Sequence, residues 1–133
     1  MFKYVMPVII QTCITAPIAE EVIIRGYLFK ILSSKYSLNT AILVSSLFFA
    51  MLHFDFFNTI FYVLMGIALS VVYIKTNSLL NAIIIHSMVN ITAVISYYTD
   101  FHLNFTNVNL IAFVISLVIV VISYFCLQDR SNA

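Results

Sequence analysis

Glu20, Glu21, His53 and His86 could move a proton or hold a metal, and Asn90 could donate a hydrogen bond beside them, each inside or at the edge of an apolar segment. A charge at the centre of a bilayer costs at least ~2.5–3.5 kcal/mol on insertion scales, so ionisable groups at that depth usually serve something. In "APIAEEVIIRG", residues 16 to 26, Glu21 and Arg25 are four apart, so on a helix they share a face and can neutralise each other. Glu20 points about 100° away from Glu21, with only Ile24 one turn further on, and is the carboxylate left over. In "FFAMLH", Phe49 and His53 are one turn apart, which sets the aromatic ring on the face that carries the imidazole. "HSMVN" does the same for His86 and Asn90.

A carboxylate and two imidazoles on separate helices suit water activation if they converge inside a bundle. A glutamate can take a proton from water while a histidine holds it, and a second histidine and an asparagine amide can donate to the oxyanion of an attacked amide carbonyl. Glu20, His53 and His86 are also ordinary zinc ligands, and an open fourth position would hold the nucleophilic water. Spacing does not separate these two chemistries, and the helix-borne zinc motif HExxH is absent. Taken singly, His53, His86 and Asn90 read as hydrogen-bonded packing residues. The glutamate pair does not, because Arg25 can neutralise only one carboxylate and no other Lys or Arg lies at membrane depth. His102 sits in the polar break "TDFHLNFTN" and reads as a solvated loop residue, and Asp55 reads as a cap for the helix that follows it. Cys13 and Cys126 stand far apart with no CxxC spacing and read as packing residues.

These residues are positioned by a chain that is 63% hydrophobic and 8% charged, which makes it an integral, multi-pass membrane protein with an all-α fold. A net charge of +1 excludes nucleic acid as a partner, since no basic patch is available. The first residues do not read as a cleaved secretion signal. Five helices are expected in one domain spanning residues 1 to 133: about Tyr4 to Leu32, Asn39 to His53, Phe56 to Ile74, Ser78 to Tyr98, and an anchor helix from Leu110 to Leu127. The first is expected to kink at Pro17, which has no N–H to return to the Cys13 carbonyl. The second is short for a span, and the third carries Gly66 and Ser70 four apart, a pattern that permits close helix approach. No segment repeats another, which argues against an inverted-repeat transporter. If the helices alternate, Lys30, Lys35, Lys75 and Arg130 collect on one side, and the positive-inside rule puts the C-terminus in the cytoplasm.

The motifs "EEVIIRG", "FAMLH" and "HSMVN" occur in that order on separate apolar segments, and in this the chain resembles the CAAX-protease and bacteriocin-processing family of intramembrane endopeptidases, whose motifs are EExxxR, FxxxH and HxxxN. The resemblance covers about residues 10 to 95 and takes in "API" before the glutamates and "KTNSLLNAIIIH" before the last motif. It implies a membrane-embedded peptidase with a peptide or protein substrate at the bilayer, acting in maturation or in self-protection from bacteriocins, in a bacterial cell membrane. It implies that Glu20 and His53 activate water, that His86 and Asn90 stabilise the oxyanion, and that Glu21 and Arg25 brace the site. The family is commonly labelled metalloprotease, and a metal-free glutamate mechanism has also been proposed for it. Here the donor set favours the metal-free route, since no Cys/His tetrad is available and Asn90 is a poor zinc ligand. Two other classes stay open: a non-catalytic immunity or scaffold protein, and a small proton or cation carrier using Glu20, His53 and His86 as a relay.

Overall fold

A computed structural model describes residues 2–98, and these form helices joined by short connections, with no strand among them. The anchor helix expected at Leu110 to Leu127, together with Asp100, His102, Cys126 and Arg130, lies outside the described residues.

The first segment is one helical rod, longer than its apolar core suggests. It comprises α1 (Phe2–Ile10), α2 (Ala16–Glu21) and α3 (Lys30–Lys35), joined without a break by π-helical stretches at Gln11–Thr15 and Val22–Phe29. The wider turns are the form taken by the irregularity expected at Pro17. A proline inside a span removes a backbone bond, and local π winding is one way of re-satisfying the groups around it. Tyr36, in extended conformation, stops the rod, and Ser37 caps α4 (Leu38–Leu52) by accepting from the Thr40 N–H at 3.2 Å. At 15 residues α4 is about 22 Å long, short of the ~30 Å hydrocarbon core.

The third helix, expected from Phe56, begins later, as α5 (Thr59–Thr76). His53 closes α4, Phe54 turns into the left-handed region at φ 49°, and Asp55 organises a tight turn. The Asp55 carboxylate accepts from the Asn58 backbone N–H at 3.2 Å and from the Asn58 amide at 2.7 Å, so it acts one step before the helix rather than as its cap. Asn77, at φ 47°, ends α5 in the left-handed conformation that asparagine tolerates, and α6 (Leu79–Tyr98) follows at once.

Three helical stretches, Val5–Lys35, Thr59–Thr76 and Leu79–Tyr98, are long and apolar enough to cross a membrane. The distribution of side chains agrees with a lipid solvent. Ile18, Val22, Ile23, Leu43, Ile60 and Met88 face outward, while Glu21, Arg25, Ser45, Ser46, Ser70 and His86 are buried. Gly66 does allow close approach: a Cβ on it would lie 2.9 Å from the Ser46 Cα, so α4 and α5 touch through backbone there.

Candidate active site

The buried charge comes first, because it fixes the rest. Arg25, fully buried, donates from Nη1 to Glu21 Oε1 at 2.8 Å, the pairing that the four-residue spacing predicts. Its Nη2 reaches across to the Gly66 carbonyl at 2.8 Å, which also accepts from Ser70 Oγ at 2.9 Å, and its guanidinium lies 4.7 Å from the centre of the Phe49 ring. One arginine thus ties the rod to α5 and to α4. The sequence did not reveal the other partner of Glu21: His86 Nδ1 lies 3.0 Å from the same Oε1, bringing α6 into the cluster.

Glu20, His53 and His86 converge. Glu20 Oε2 lies 3.9 Å from His53 Nε2 and 3.8 Å from His86 Nε2, beyond direct hydrogen bonds. That oxygen is buried and has no hydrogen-bond partner. Neighbouring acceptors set the tautomers of both rings. His53 Nδ1 faces the Phe49 carbonyl at 2.9 Å and His86 Nδ1 faces a carboxylate, so in each ring Nδ1 carries the hydrogen and, while the ring is neutral, Nε2 is a lone pair. Three acceptors therefore point at one small space. Such an arrangement asks for a donor or a cation between them, and a water bridging two atoms 3.8–3.9 Å apart keeps ordinary hydrogen-bond lengths to both.

The same trio carries the donor types that a metal such as zinc takes. One donor atom from each residue lies within 4.8 Å of the others. Tetrahedral zinc ligands at ~2.0–2.1 Å lie about 3.4 Å apart, so the three side chains, with Glu20–histidine separations of 3.9 and 3.8 Å, would draw inward to hold the ion. The Nδ1 contacts to a carbonyl and a carboxylate are those that orient metal-bound imidazoles.

His53 sits at the end of α4 rather than inside it, so its imidazole is steadied by rings. Tyr62 of α5 stacks on it at 4.0 Å between centroids and 23° between planes, and Phe49 packs at 4.8 Å on its own helix. Phe49 also meets His86 edge-on at 5.3 Å, so one ring packs against both histidines and the arginine. Tyr62 was missed from sequence because its contact depends on the turn between α4 and α5, which no helical spacing encodes. Asn90, part-buried on α6, donates from its amide to the Thr12 carbonyl at 2.8 Å, and that contact was not foreseen either. Cys13 is buried and free, as a packing residue would be.

Residues 2–92 match the family model described as "Type II CAAX prenyl endopeptidase Rce1-like". The chain belongs to this family. Two curated proteins are similar to it: the UPF0177 protein YxdF of Lactococcus lactis subsp. lactis (strain IL1403), 31% identical over 90 residues, and a Bacillus subtilis (strain 168) protein named "Putative membrane peptidase YdiL", 34% identical over 87 residues. The matches cover 67% and 65% of this chain but 46% and 36% of those relatives, so the chain spans less than half the length of each. No solved structure matches it. All three motifs lie within the matched residues, and Glu20, Glu21, Arg25, Phe49, His53 and His86 form one contiguous cluster.

Proposed function

We propose that this protein is an intramembrane peptidase in which Glu20 and His53 activate a water against a peptide carbonyl. One observation carries the reading: the buried Glu20 Oε2 has no partner and lies 3.9 and 3.8 Å from two imidazole nitrogens, close enough for one water beside them to bond Glu20 and a ring together. Water seated there gives one hydrogen to Glu20 and the other to the His53 Nε2 lone pair, leaving its oxygen free to attack. As the oxygen bonds to the carbonyl carbon, Glu20 takes the proton. The carbonyl oxygen becomes an oxyanion; with a second proton on its ring, taken up from solvent before the attack, His86 donates to it from Nε2 while Nδ1–H stays on the Glu21 carboxylate. An amide carries two hydrogens, and with one of them on Thr12 the second hydrogen of Asn90 is left for the oxyanion. Collapse expels the amine, which leaves with the proton from Glu20.

If zinc is the resident cofactor, Glu20, His53 and His86 hold it, and it supplies Lewis acidity and a water that ionises near neutral pH. The substrate is a peptide or protein segment at the membrane, and the family's bacterial members make maturation or bacteriocin self-protection in a bacterial cell membrane the setting. Purified protein in detergent should cleave membrane-derived peptides, and Glu20→Gln should not. Ion flux in sealed vesicles without any cleavage would favour a carrier. Elemental analysis of active protein, with chelation and readdition, separates the zinc route from the metal-free one.

A further inference from the structure

The rod changes its hydrogen-bond register where it meets α6. Between Gln11 and Thr15 it winds as a π-helix, and the Ala16 N–H bonds the Gln11 carbonyl five residues back. One step on, the Thr12 carbonyl is due a donor from residue 17, which is a buried proline and has none. The donor at ordinary α spacing, the Ala16 N–H, is the one already on Gln11. The Thr12 carbonyl is met instead by the Asn90 amide at 2.8 Å, from a residue 78 positions away. In hydrocarbon an unfilled carbonyl is costly, and a side chain from a neighbouring helix is one of the few groups that can fill it.

We propose that Pro17 and Asn90 work as a pair, the proline freeing the Thr12 carbonyl and the asparagine occupying it, and that this tie positions the active site. Glu20 follows Pro17 by three residues and Asn90 follows His86 by one turn. The bond therefore pins the part of the rod that carries Glu20 to the helix that carries His86. With one amide hydrogen on Thr12, the direction of the other is fixed as well. Pro17 becomes a positioning residue although it touches no reacting atom. The effect on turnover rests on the peptidase reading; the tie itself does not.

A double-mutant cycle on the full chain in detergent tests it, with Asn90→Leu and Pro17→Ala made singly and together. Alanine at 17 restores a backbone N–H, and either α or π winding then fills the Thr12 carbonyl from within the rod. Asn90→Leu in the wild-type background should lower the melting temperature by about 3–8 °C, the scale of a lost interhelical hydrogen bond. In the Pro17→Ala background it should cost less than half as much. An equal loss in both backgrounds overturns the tie. Should Asn90→Leu fail to fold alone, recovery of folded protein with Pro17→Ala supports the tie, and failure in both backgrounds overturns it. Pro17→Ala alone, folded, should lower kcat several-fold at unchanged KM, because the amide is released; unchanged kcat beside a coupled melting cycle overturns the positioning role. If wild type cleaves nothing, the peptidase reading fails while the melting cycle still decides the tie.

Discussion

Glu20 and Glu21 are neighbours of identical chemistry that should fail in opposite ways when each becomes glutamine. Glu21 Oε1 receives Arg25 at 2.8 Å and His86 at 3.0 Å, and all three side chains are at most 3% exposed. Glutamine keeps an acceptor oxygen but not the charge, and its NH2 replaces Oε2, which has no partner to reward it. Arg25 retains the Gly66 carbonyl and the Phe49 ring, neither of which is charged. Breaking a buried pair from one side costs ~3–5 kcal/mol, and at ~4 °C or more per kcal/mol the variant should melt about 12 °C or more below wild type. Its folded fraction should lose turnover about ten- to a hundredfold, since His86 loses the carboxylate that supports its charge. For Glu20→Gln the signs invert. No hydrogen bond is broken at its Oε2, a buried oxygen without a partner, so melting should stay level or rise. Cleavage should fall by about 10² or more, the scale of a lost general base. Melting curves in detergent and peptide cleavage per folded molecule read both variants. If Glu20→Gln is the one that unfolds and Glu21→Gln melts with wild type, the charge assignment is wrong; if both cleave at the wild-type rate, the site has no glutamate base.

The ring cage of His53 predicts that Tyr62→Leu lowers kcat at little change in melting and moves the His53 ring proton resonances downfield, while Tyr62→Phe, which keeps the stacked ring, stays close to wild type in the resonances and several-fold above Tyr62→Leu in kcat. Gly66→Ala should destabilise by ~1–3 kcal/mol, because a Cβ 2.9 Å from the Ser46 backbone forces α4 and α5 apart and moves the carbonyl that holds Arg25; wild-type melting would show that the contact can relax. The Asn58 amide holds the Asp55 carboxyl below its ordinary value. A depressed folded-state value gives stability that is present above the unfolded Asp value, near pH ~4, and is lost as pH falls below it. Asp55→Asn should therefore melt with a shallower pH dependence between about pH 5 and 3 than wild type, and identical slopes would show that the turn does not bear on stability.

What could be read from the sequence was whatever depends on helical period. Glu21 and Arg25 meet because they are four apart, Gly66 opens a close approach because it is small, and Leu79–Tyr98 begins within one residue of its expected start. The convergence of Glu20, His53, His86 and Asn90 was an expectation drawn from cost and from the motifs; the first three come together, while the Asn90 amide bonds the Thr12 carbonyl of the rod. What could not be read were contacts set by turns and by register. Thr59 starts α5 because Asp55 folds the chain back on Asn58 and Phe54 goes left-handed, and an apolar run such as "FDFF" does not announce that. The π winding around Pro17 was foreseen only as a kink, and the side chain that compensates for it comes from a residue 78 positions away.

A scaffold with the same motifs would explain nearly everything in the cluster except Glu20. Arg25 has a carboxylate, a carbonyl and a ring; Glu21 has an arginine and a histidine; His86 has a carboxylate; Ser70 has the Gly66 carbonyl. Each of these residues makes at least one polar contact of the kind that holds helices together in lipid, even where Glu21 Oε2 and Arg25 Nε go unpartnered, and their loss would be felt in stability. Glu20 is held by none of them. If these residues served packing alone, an apolar side chain at position 20 would serve better, because a buried carboxylate oxygen without a partner is a net cost. An open, unsatisfied acceptor beside two imidazole nitrogens is instead what a site needs if its missing partner is the reacting water or a bound cation. Replacing Glu20 by leucine turns the distinction into a measurement. Glu20→Leu should fold, melt at least as high as wild type and cleave nothing, whereas a drop in melting would make this carboxylate one more packing residue.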